Sequence, residues 1–213
     1  MNDYLGMREN TIPTTIIFDL GGVLIDWNPR YLYRKIFEQA SDMEDFLANI
    51  CTSDWNETQD AGRSLADGTN LLLEQYPAWE NEIRAFYDRW EEMLGGVVAG
   101  TLSIFRRLKA KEKYRFYALT NWSAETYPIA LDRYDFLQWF EGTLVSGQEK
   151  MRKPNPLFYQ RLLNRFQIDP SQSVFIDDNL RNVKAAREQG IPSIHFQSPE
   201  QLEKALVAMG IDL

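Results

Sequence analysis

The stretch Thr15-Ile16-Ile17-Phe18-Asp19-Leu20-Gly21-Gly22-Val23-Leu24-Ile25-Asp26 decides how the rest of the chain is read. Thr15 to Phe18 is a short apolar, β-branched run, the pattern of a parallel strand covered on both faces. It delivers one carboxylate, Asp19, straight into a glycine pair. Lacking Cβ atoms, Gly21 and Gly22 let the backbone turn sharply and approach a ligand closely. Asp19 is therefore expected at the carboxyl end of a strand, where open α/β sheets bind their ligands.

Beyond the turn signal Asn28-Pro29, helical periodicity runs to about Leu94. Tyr31, Tyr33, Ile36 and Phe37 mark one amphipathic face, and Phe46, Leu47 and Ile50 a second. Leu71 to Leu73 with Tyr76, then Ile83, Phe86, Tyr87 and Trp90, mark later ones. Four or five short helices fit there. From Gly95-Gly96 onward, strand and helix patterns alternate. Strands are expected at Tyr114 to Thr120, Gly142 to Ser146, Val174 to Asp177 and Ser193 to Phe196. Helices are expected around Phe105, at Ala124 to Leu131, Pro156 to Phe166, Asn182 to Gln189 and Pro199 to Met209. Such alternation implies right-handed βαβ crossovers, hence an α/β fold with a doubly wound parallel sheet. The expected organisation is a core of residues 1–29 and 95–213, with an all-helical insertion, 30–94, after the first strand.

Composition narrows the chemistry. With 213 residues and a formal charge of −8, the chain carries no surface suited to nucleic acid or an anionic membrane. One cysteine, Cys51, excludes an internal disulfide, and one histidine, His195, excludes a multi-histidine metal site. Any metal is therefore held by oxygen. The tail from Met1 to Thr11 lacks the apolar stretch of a signal peptide, and no run approaches the ~20 apolar residues of a membrane span. A cytoplasmic protein acting on a small molecule is the expectation.

The strand ends carry the remaining signals. The second strand closes on Thr120-Asn121-Trp122-Ser123, a hydroxyl and an amide opening a helix whose free N–H groups suit an anion. Met151-Arg152-Lys153-Pro154 places a cation before the helix at Pro156. Val174-Phe175-Ile176 ends in Asp177-Asp178-Asn179. Taken singly, each has a plainer reading: Asp19 as a turn residue, Thr120 and Asn121 as a helix cap, Lys153 as an exposed lysine, Asp177 and Asp178 as a cap with a solvated neighbour. Their joint occurrence at successive strand ends points instead to one site. Carboxylates ~4 Å apart repel by about 4 kcal/mol per pair at an effective dielectric near 20, so convergence of Asp19, Asp177 and Asp178 calls for a raised pKa or a cation. An oxygen-only donor set suits Mg²⁺. Trp27 and Trp122, beside these segments, are the rings expected to meet a substrate. His195, Cys51 and the basic cluster Arg106, Arg107, Lys109, Lys111 and Lys113 read as structural or solvated.

The four segments, in this order and with a helical insertion after the first, resemble the haloacid dehalogenase (HAD) superfamily of hydrolases, whose core is a Rossmann-like sheet with a small helical cap. The resemblance implies that Asp19 is the nucleophile, forming an aspartyl-phosphate that water hydrolyses. It implies further that Thr120 and Asn121 hold phosphoryl oxygens and that Lys153 neutralises charge and restrains Asp19. Mg²⁺ would be held by Asp19, the Gly21 carbonyl, Asp178 and Asp177. Asp19-Leu20-Gly21, Met151-Arg152-Lys153-Pro154 and Phe175-Ile176-Asp177-Asp178-Asn179 are most similar to the small-sugar-phosphate branch that includes α-glucose-1-phosphate phosphatases. A small phosphorylated metabolite is the expected substrate.

One position departs from the family. Its phosphatases usually carry a second aspartate, the general acid and base, two residues after the nucleophile, where this chain has Gly21. Losing proton transfer costs roughly 10² to 10⁴ in rate. Asp26, a cap residue or water are the candidate replacements. The glycine equally suits the superfamily's 2-haloacid dehalogenases, whose halide leaves without a proton and which need no metal. Arg30 or Arg34 would then meet the substrate carboxylate, and Asp177-Asp178 weighs against that alternative. A domain that binds a phosphorylated ligand or a partner without chemistry is the third reading.

Overall fold

A computed structural model describes residues 12–213; the tail from Met1 to Thr11, read above for targeting signals, lies outside them. Strand β1 (Thr15–Phe18) runs into the glycine turn and a short strand β2 (Ile25–Trp27). Five helices follow: α1 (Arg30–Tyr33), α2 (Ala40–Asn49), α3 (Ser53–Asp60), α4 (Leu65–Gln75) and α5 (Glu80–Asp88). The chain returns through β3 (Leu94–Val97) and then alternates: α6 (Ala99–Ala110), β4 (Arg115–Thr120), α7 (Tyr127–Arg133), β5 (Gly142–Val145), α8 (Ser146–Glu149), α9 (Pro156–Phe166), β6 (Ser173–Asp177), α10 (Leu180–Glu188), β7 (Ser193–His195) and α11 (Pro199–Ala208).

The main sheet is wholly parallel, in the order β5-β4-β1-β6-β7. Its strand order reverses around β1, so the crevice that such a reversal leaves opens above the carboxyl ends of β1, β4 and β6. Ile16, Ile17 and Phe18 are fully buried, as a central strand covered on both faces requires. Strand alternation divides them. Ile16 and Phe18 pack with Phe105 and Leu108 of α6 and with Leu202 and Leu206 of α11, whereas Ile17 packs with Phe158 and Leu162 of α9 and Ala186 of α10.

β2 and β3 form a separate antiparallel ribbon, with Ile25 opposite Val97, Asp26 opposite Gly96 and Trp27 opposite Leu94. All five helices α1 to α5 lie between these two strands. Their shared interior is aromatic: Tyr33 lies 5.0 Å from Phe46 and Trp55 lies 5.0 Å from Phe86, ring centre to ring centre. The helix expected over Tyr31 to Phe37 ends after one turn, at Tyr33. Phe37 is held instead by its rings' neighbours, 5.4 Å from Phe46 and 6.1 Å from Trp79, so burial rather than helical continuation fixes that segment. Helix α3 is polar; Trp55 and Gln59 are its buried side chains, and Asp60 is partly buried. Thr52 caps it by accepting the Trp55 N–H at 3.1 Å, and the Trp55 indole donates to the Gly68 carbonyl at 2.9 Å.

The side chains read as structural have structural surroundings. His195 Nε2 lies 2.9 Å from the Asp178 carbonyl oxygen. Burial pushes the Cys51 thiol up to about 12, which leaves it protonated and unreactive near neutrality. Arg107 pairs with Glu203, and Lys111 and Lys113 pair with Asp212. No helix among the described residues is long and apolar enough to cross a membrane.

Candidate active site

Asp19 sits where β1 stops. Its N–H donates to the Ile176 carbonyl at 2.8 Å, which extends the pairing with β6, and its own Oδ1 accepts the Leu20 N–H at 2.7 Å. Beneath it lies Lys153, with no exposed surface at all. The Lys153 Nζ is 2.8 Å from Asp19 Oδ2 and 2.7 Å from Asp177 Oδ2. Considered alone, Lys153 reads as a surface lysine; two carboxylates from separate strand ends make its burial tolerable, as an unpaired buried ammonium would not be. Asp177 is fixed in turn, accepting the Asn179 N–H at 2.7 Å and the Asn182 amide at 3.1 Å on both oxygens.

The Asn121 side chain is hydrogen-bonded to the backbone of the lysine. Its Oδ1 accepts the Lys153 N–H at 2.8 Å, and its Nδ2 donates to the Lys153 carbonyl at 3.0 Å. This reciprocal pair ties the end of β4 to the segment before α9. Thr120, the last residue of β4, is fully buried, and its hydroxyl has no hydrogen-bond partner. A buried polar group left unpaired costs about 1 to 3 kcal/mol, a cost a ligand oxygen removes.

Oxygens of Asp19, Asp177 and Asp178 lie within 4.8 Å of one another. Asp178 fits into the hollow that Gly22 leaves: a Cβ on Gly22 would lie 2.2 Å from Asp178 Oδ2, and Gly22 has a φ of +74°. Burial raises the Asp19 carboxyl well above its ordinary range; Lys153 opposes this, and Asp177 and Asp178 add to it. The Asp178 carboxyl is raised by the protein crowding it and by the charge of Asp177. Burial works against the Lys153 charge, but Asp177 and Asp19 hold its pKa above the usual value. One ammonium thus pairs with two of three clustered carboxylates. An all-oxygen cluster short of positive charge fits a hard divalent ion, and the cradle at Gly22 leaves room for the carboxylate that completes it.

Above this floor is a cleft of about 440 Å³. Asp19, Gly21, Asn121 and Asp178 line its base, Glu57, Asp60, Tyr87 and Trp90 come from the helical insertion, and Trp27 and Trp122 stand at its sides. The Trp122 indole donates to Thr126 Oγ1 at 3.1 Å and packs 5.8 Å from the Trp90 ring, so the two halves of the molecule meet at that pair. Among the described residues, no arginine or lysine lines the cleft. Arg30, nominated for a substrate carboxylate, is paired with Glu44 through two contacts of 2.6 Å, and Arg34 is not among the lining residues. Asp26 does not line the cleft either; it accepts the Tyr31 hydroxyl at 2.6 Å.

Two acids of α3 escaped the sequence reading. Glu57 meets Arg152 at 2.6 Å and Arg181 at 3.0 Å, joining the insertion to the loop before α9 and to the start of α10. Asp60, one turn on, is pushed up to about 7 by burial and by Glu57, against the pull of Arg152 and of the Ser123 backbone N–H. The available signal was the Thr52 cap followed by Asp60-Ala61-Gly62, where Gly62 has a φ of +102° and ends the helix.

The sequence profile of haloacid dehalogenase-like hydrolases matches residues 13–190. Sesquiterpene phosphatase astK of Aspergillus oryzae is 28% identical over 180 residues, spanning 84% of this chain and 88% of its own. Phosphorylated carbohydrates phosphatase of Thermotoga maritima is 25% identical over 189 residues, spanning 84% and 83%. A HAD family enzyme from Bacteroides thetaiotaomicron, solved with magnesium and inorganic phosphate, superposes with a TM-score of 0.64 at 24% identity, covering 87% of this chain and 95% of its own. With a Rossmann-like sheet whose strand ends carry an aspartate, a buried lysine and an acidic pair, the chain belongs to the haloacid dehalogenase-like hydrolases.

Proposed function

We propose that this hydrolase is a Mg²⁺-dependent phosphatase of a small phosphorylated metabolite, working through a phosphorylated Asp19. The observation that carries the reading is the fully buried Lys153 held between Asp19 and Asp177, whose carboxylates cluster with that of Asp178, together with the unpartnered Thr120 hydroxyl at the end of the neighbouring strand. Such a floor stabilises added negative charge, as a phosphoryl group brings.

In this mechanism Asp19 attacks phosphorus in line, and water then releases orthophosphate. The Thr120 hydroxyl donates to a phosphoryl oxygen and so gains the partner it lacks. Lys153 offsets the developing charge, while Asn121, engaged with the Lys153 backbone, keeps the ammonium in place. Asp19 and Asp178, with the Gly21 carbonyl, would hold Mg²⁺; Asp177, in the same cluster, has its oxygens engaged by Lys153 and Asn182. When bound, the ion neutralises phosphoryl oxygens and the acidic cluster together.

Residues 30–94 act as a cap whose aromatic lining, with Trp27 and Trp122, selects the organic part of the substrate. A cleft of about 440 Å³ admits a molecule the size of a sugar phosphate. The relatives that act on phosphorylated carbohydrates and on sesquiterpenes support a small phosphate ester of this size, and the lone buried thiol suits a cytoplasmic setting. A 2-haloacid dehalogenase needs a cation for its substrate's carboxylate, and the cleft lining offers the acids Asp19, Glu57, Asp60 and Asp178 and no arginine or lysine.

Phosphate release from para-nitrophenyl phosphate and from a panel of sugar and glycerol phosphates, with Mg²⁺ and with EDTA, tests the reading. Activity is expected only with Mg²⁺ and is expected to vanish in Asp19→Asn. Metal-independent chloride release from 2-chloropropionate overturns it in favour of a dehalogenase. Thermal stabilisation by phosphate esters without any turnover overturns it in favour of a binding domain.

A further inference from the structure

In-line displacement at phosphorus puts the arriving and departing oxygens on opposite sides. Asp19 attacks from the floor, at the end of β1, so the leaving oxygen faces the roof built by α3 and α5. Gly21, beside the nucleophile, has no side chain to offer a proton. Among the described residues, the titratable side chains that line the cleft are Asp19, Glu57, Asp60, Tyr87 and Asp178. Asp19 is the nucleophile and Asp178 belongs to the acidic cluster. Glu57 is committed to Arg152 and Arg181. The Tyr87 hydroxyl donates to Asn56 at 3.0 Å and accepts from Gln59 at 2.9 Å, and burial lifts its phenol well above the ordinary value.

We propose that Asp60 is the catalytic acid and base of this site, protonating the leaving oxygen in the first step and deprotonating water in the second. The proposal rests on the phosphatase reading above. As Asp19 Oδ bonds to phosphorus, the bond from phosphorus to the leaving oxygen breaks; that oxygen keeps the electron pair and takes the Asp60 proton, departing as an alcohol. Water then enters from the vacated side, Asp60 takes one of its protons, and its oxygen bonds to phosphorus as the bond to Asp19 breaks. Orthophosphate leaves, and both aspartates return to their starting states.

Asp60 has the position and the surroundings for both tasks. It ends α3, faces the Ser123 backbone N–H beside the Thr120 to Trp122 loop, and sits 3.4 Å from the Asn56 amide. The charged and titratable groups around it are Glu57 on its own helix, Arg152 from the loop before α9, and Tyr87 on α5. Burial first and Glu57 second bring its carboxyl up to about 7, so acid and conjugate base coexist near neutrality, where a proton shuttle works best.

The test compares Asp60→Asn with wild type on two esters in Mg²⁺. Para-nitrophenyl phosphate releases a stable anion and needs little protonation; glycerol phosphate releases an alkoxide and needs it. Asp60→Asn is expected to lose about 10² to 10⁴ in kcat/KM on glycerol phosphate and less than about tenfold in kcat/KM on the aryl ester, because kcat/KM covers only the steps up to phosphorylation of Asp19. On the aryl ester kcat falls as the hydrolytic step loses its base, and a thermal melt shows that the variant is folded. In wild type the glycerol phosphate profile falls as pH rises through about 7, and that limb is absent from the variant. Equal losses on both esters, no loss on glycerol phosphate, or a wild type that hydrolyses only the aryl ester overturns the role of Asp60. A wild type inert toward both esters overturns the phosphatase reading instead.

Discussion

Replacing Lys153 by methionine keeps a side chain of similar length and removes the charge at the bottom of the site. The ammonium lies 2.8 Å from Asp19 and 2.7 Å from Asp177. At an effective dielectric near 20, each contact is worth about 6 kcal/mol of Coulomb energy, set against the desolvation of three charged groups. Deleting one member of a buried ion pair costs about 3 to 5 kcal/mol, because the charge left behind has no partner. The upper end applies here, since one cation serves two carboxylates. Burial already raises Asp19, and Lys153 is the main influence opposing that rise, so the folded variant keeps a proton on Asp19 to higher pH than the wild-type fold. Unfolded chains of both proteins release their carboxylic protons near pH 4. Above that pH the folded variant binds more protons than its unfolded chain, and its stability falls, relative to wild type, as pH rises. Urea unfolding in EDTA is expected to show a deficit of about 3 to 5 kcal/mol at pH 8 and a distinctly smaller one at pH 5. A deficit below about 1 kcal/mol at both values, or one larger at pH 5, would refute the account of Lys153 as the shared counter-charge.

Gly22→Ala places a Cβ where φ is +74° and only 2.2 Å from Asp178 Oδ2. Strain of about 1 to 2 kcal/mol should lower the melting temperature in EDTA, and displacement of Asp178 should raise the Mg²⁺ needed for half-maximal activity at least about tenfold. Unchanged Mg²⁺ dependence removes Asp178 from the metal site. Glu57→Gln breaks the contacts to Arg152 and Arg181, partly exposed pairs worth at most about 1 kcal/mol each. Its expected signature is a raised KM that converges on wild type at high salt; it also moves the alkaline limb for alkyl esters to lower pH, because Glu57 helps raise Asp60. A limb that stays put separates Asp60 from that limb.

What the sequence made legible was whatever repeats at a strand or helix period. β1 and β6 are continuous apolar runs ending in acids, so Asp19, Asp177 and Asp178 fall on one sheet edge as soon as the strands are parallel. α9 matches its expected bounds because Asn155 caps it, Pro156 begins it and Gln167 ends it in the left-handed region. Lys153 was legible only in company, for its burial depends on residues 24 and 134 positions away. The Asn121 pair with the Lys153 backbone carries no local pattern at all. Helix α3 was lost among its polar neighbours because tertiary contacts, Trp55 to Gly68 and Glu57 to Arg152, decide which way it faces. Glu57 and Asp60 went unseen with it.

The ribbon of β2 and β3 has a consequence for how this architecture diversifies. Both crossings of the chain occur between residues that are already hydrogen-bonded neighbours, with Ile25 opposite Val97 and Trp27 opposite Leu94. Whatever lies between Trp27 and Leu94 is a loop whose ends the rest of the protein closes on its own, and lengthening such a loop adds only slowly to its closure entropy. The helices can thus be exchanged wholesale while Asp19, Lys153 and the acidic pair keep their places, so that the proton donor proposed on α3 and the choice of molecule change together with the insertion.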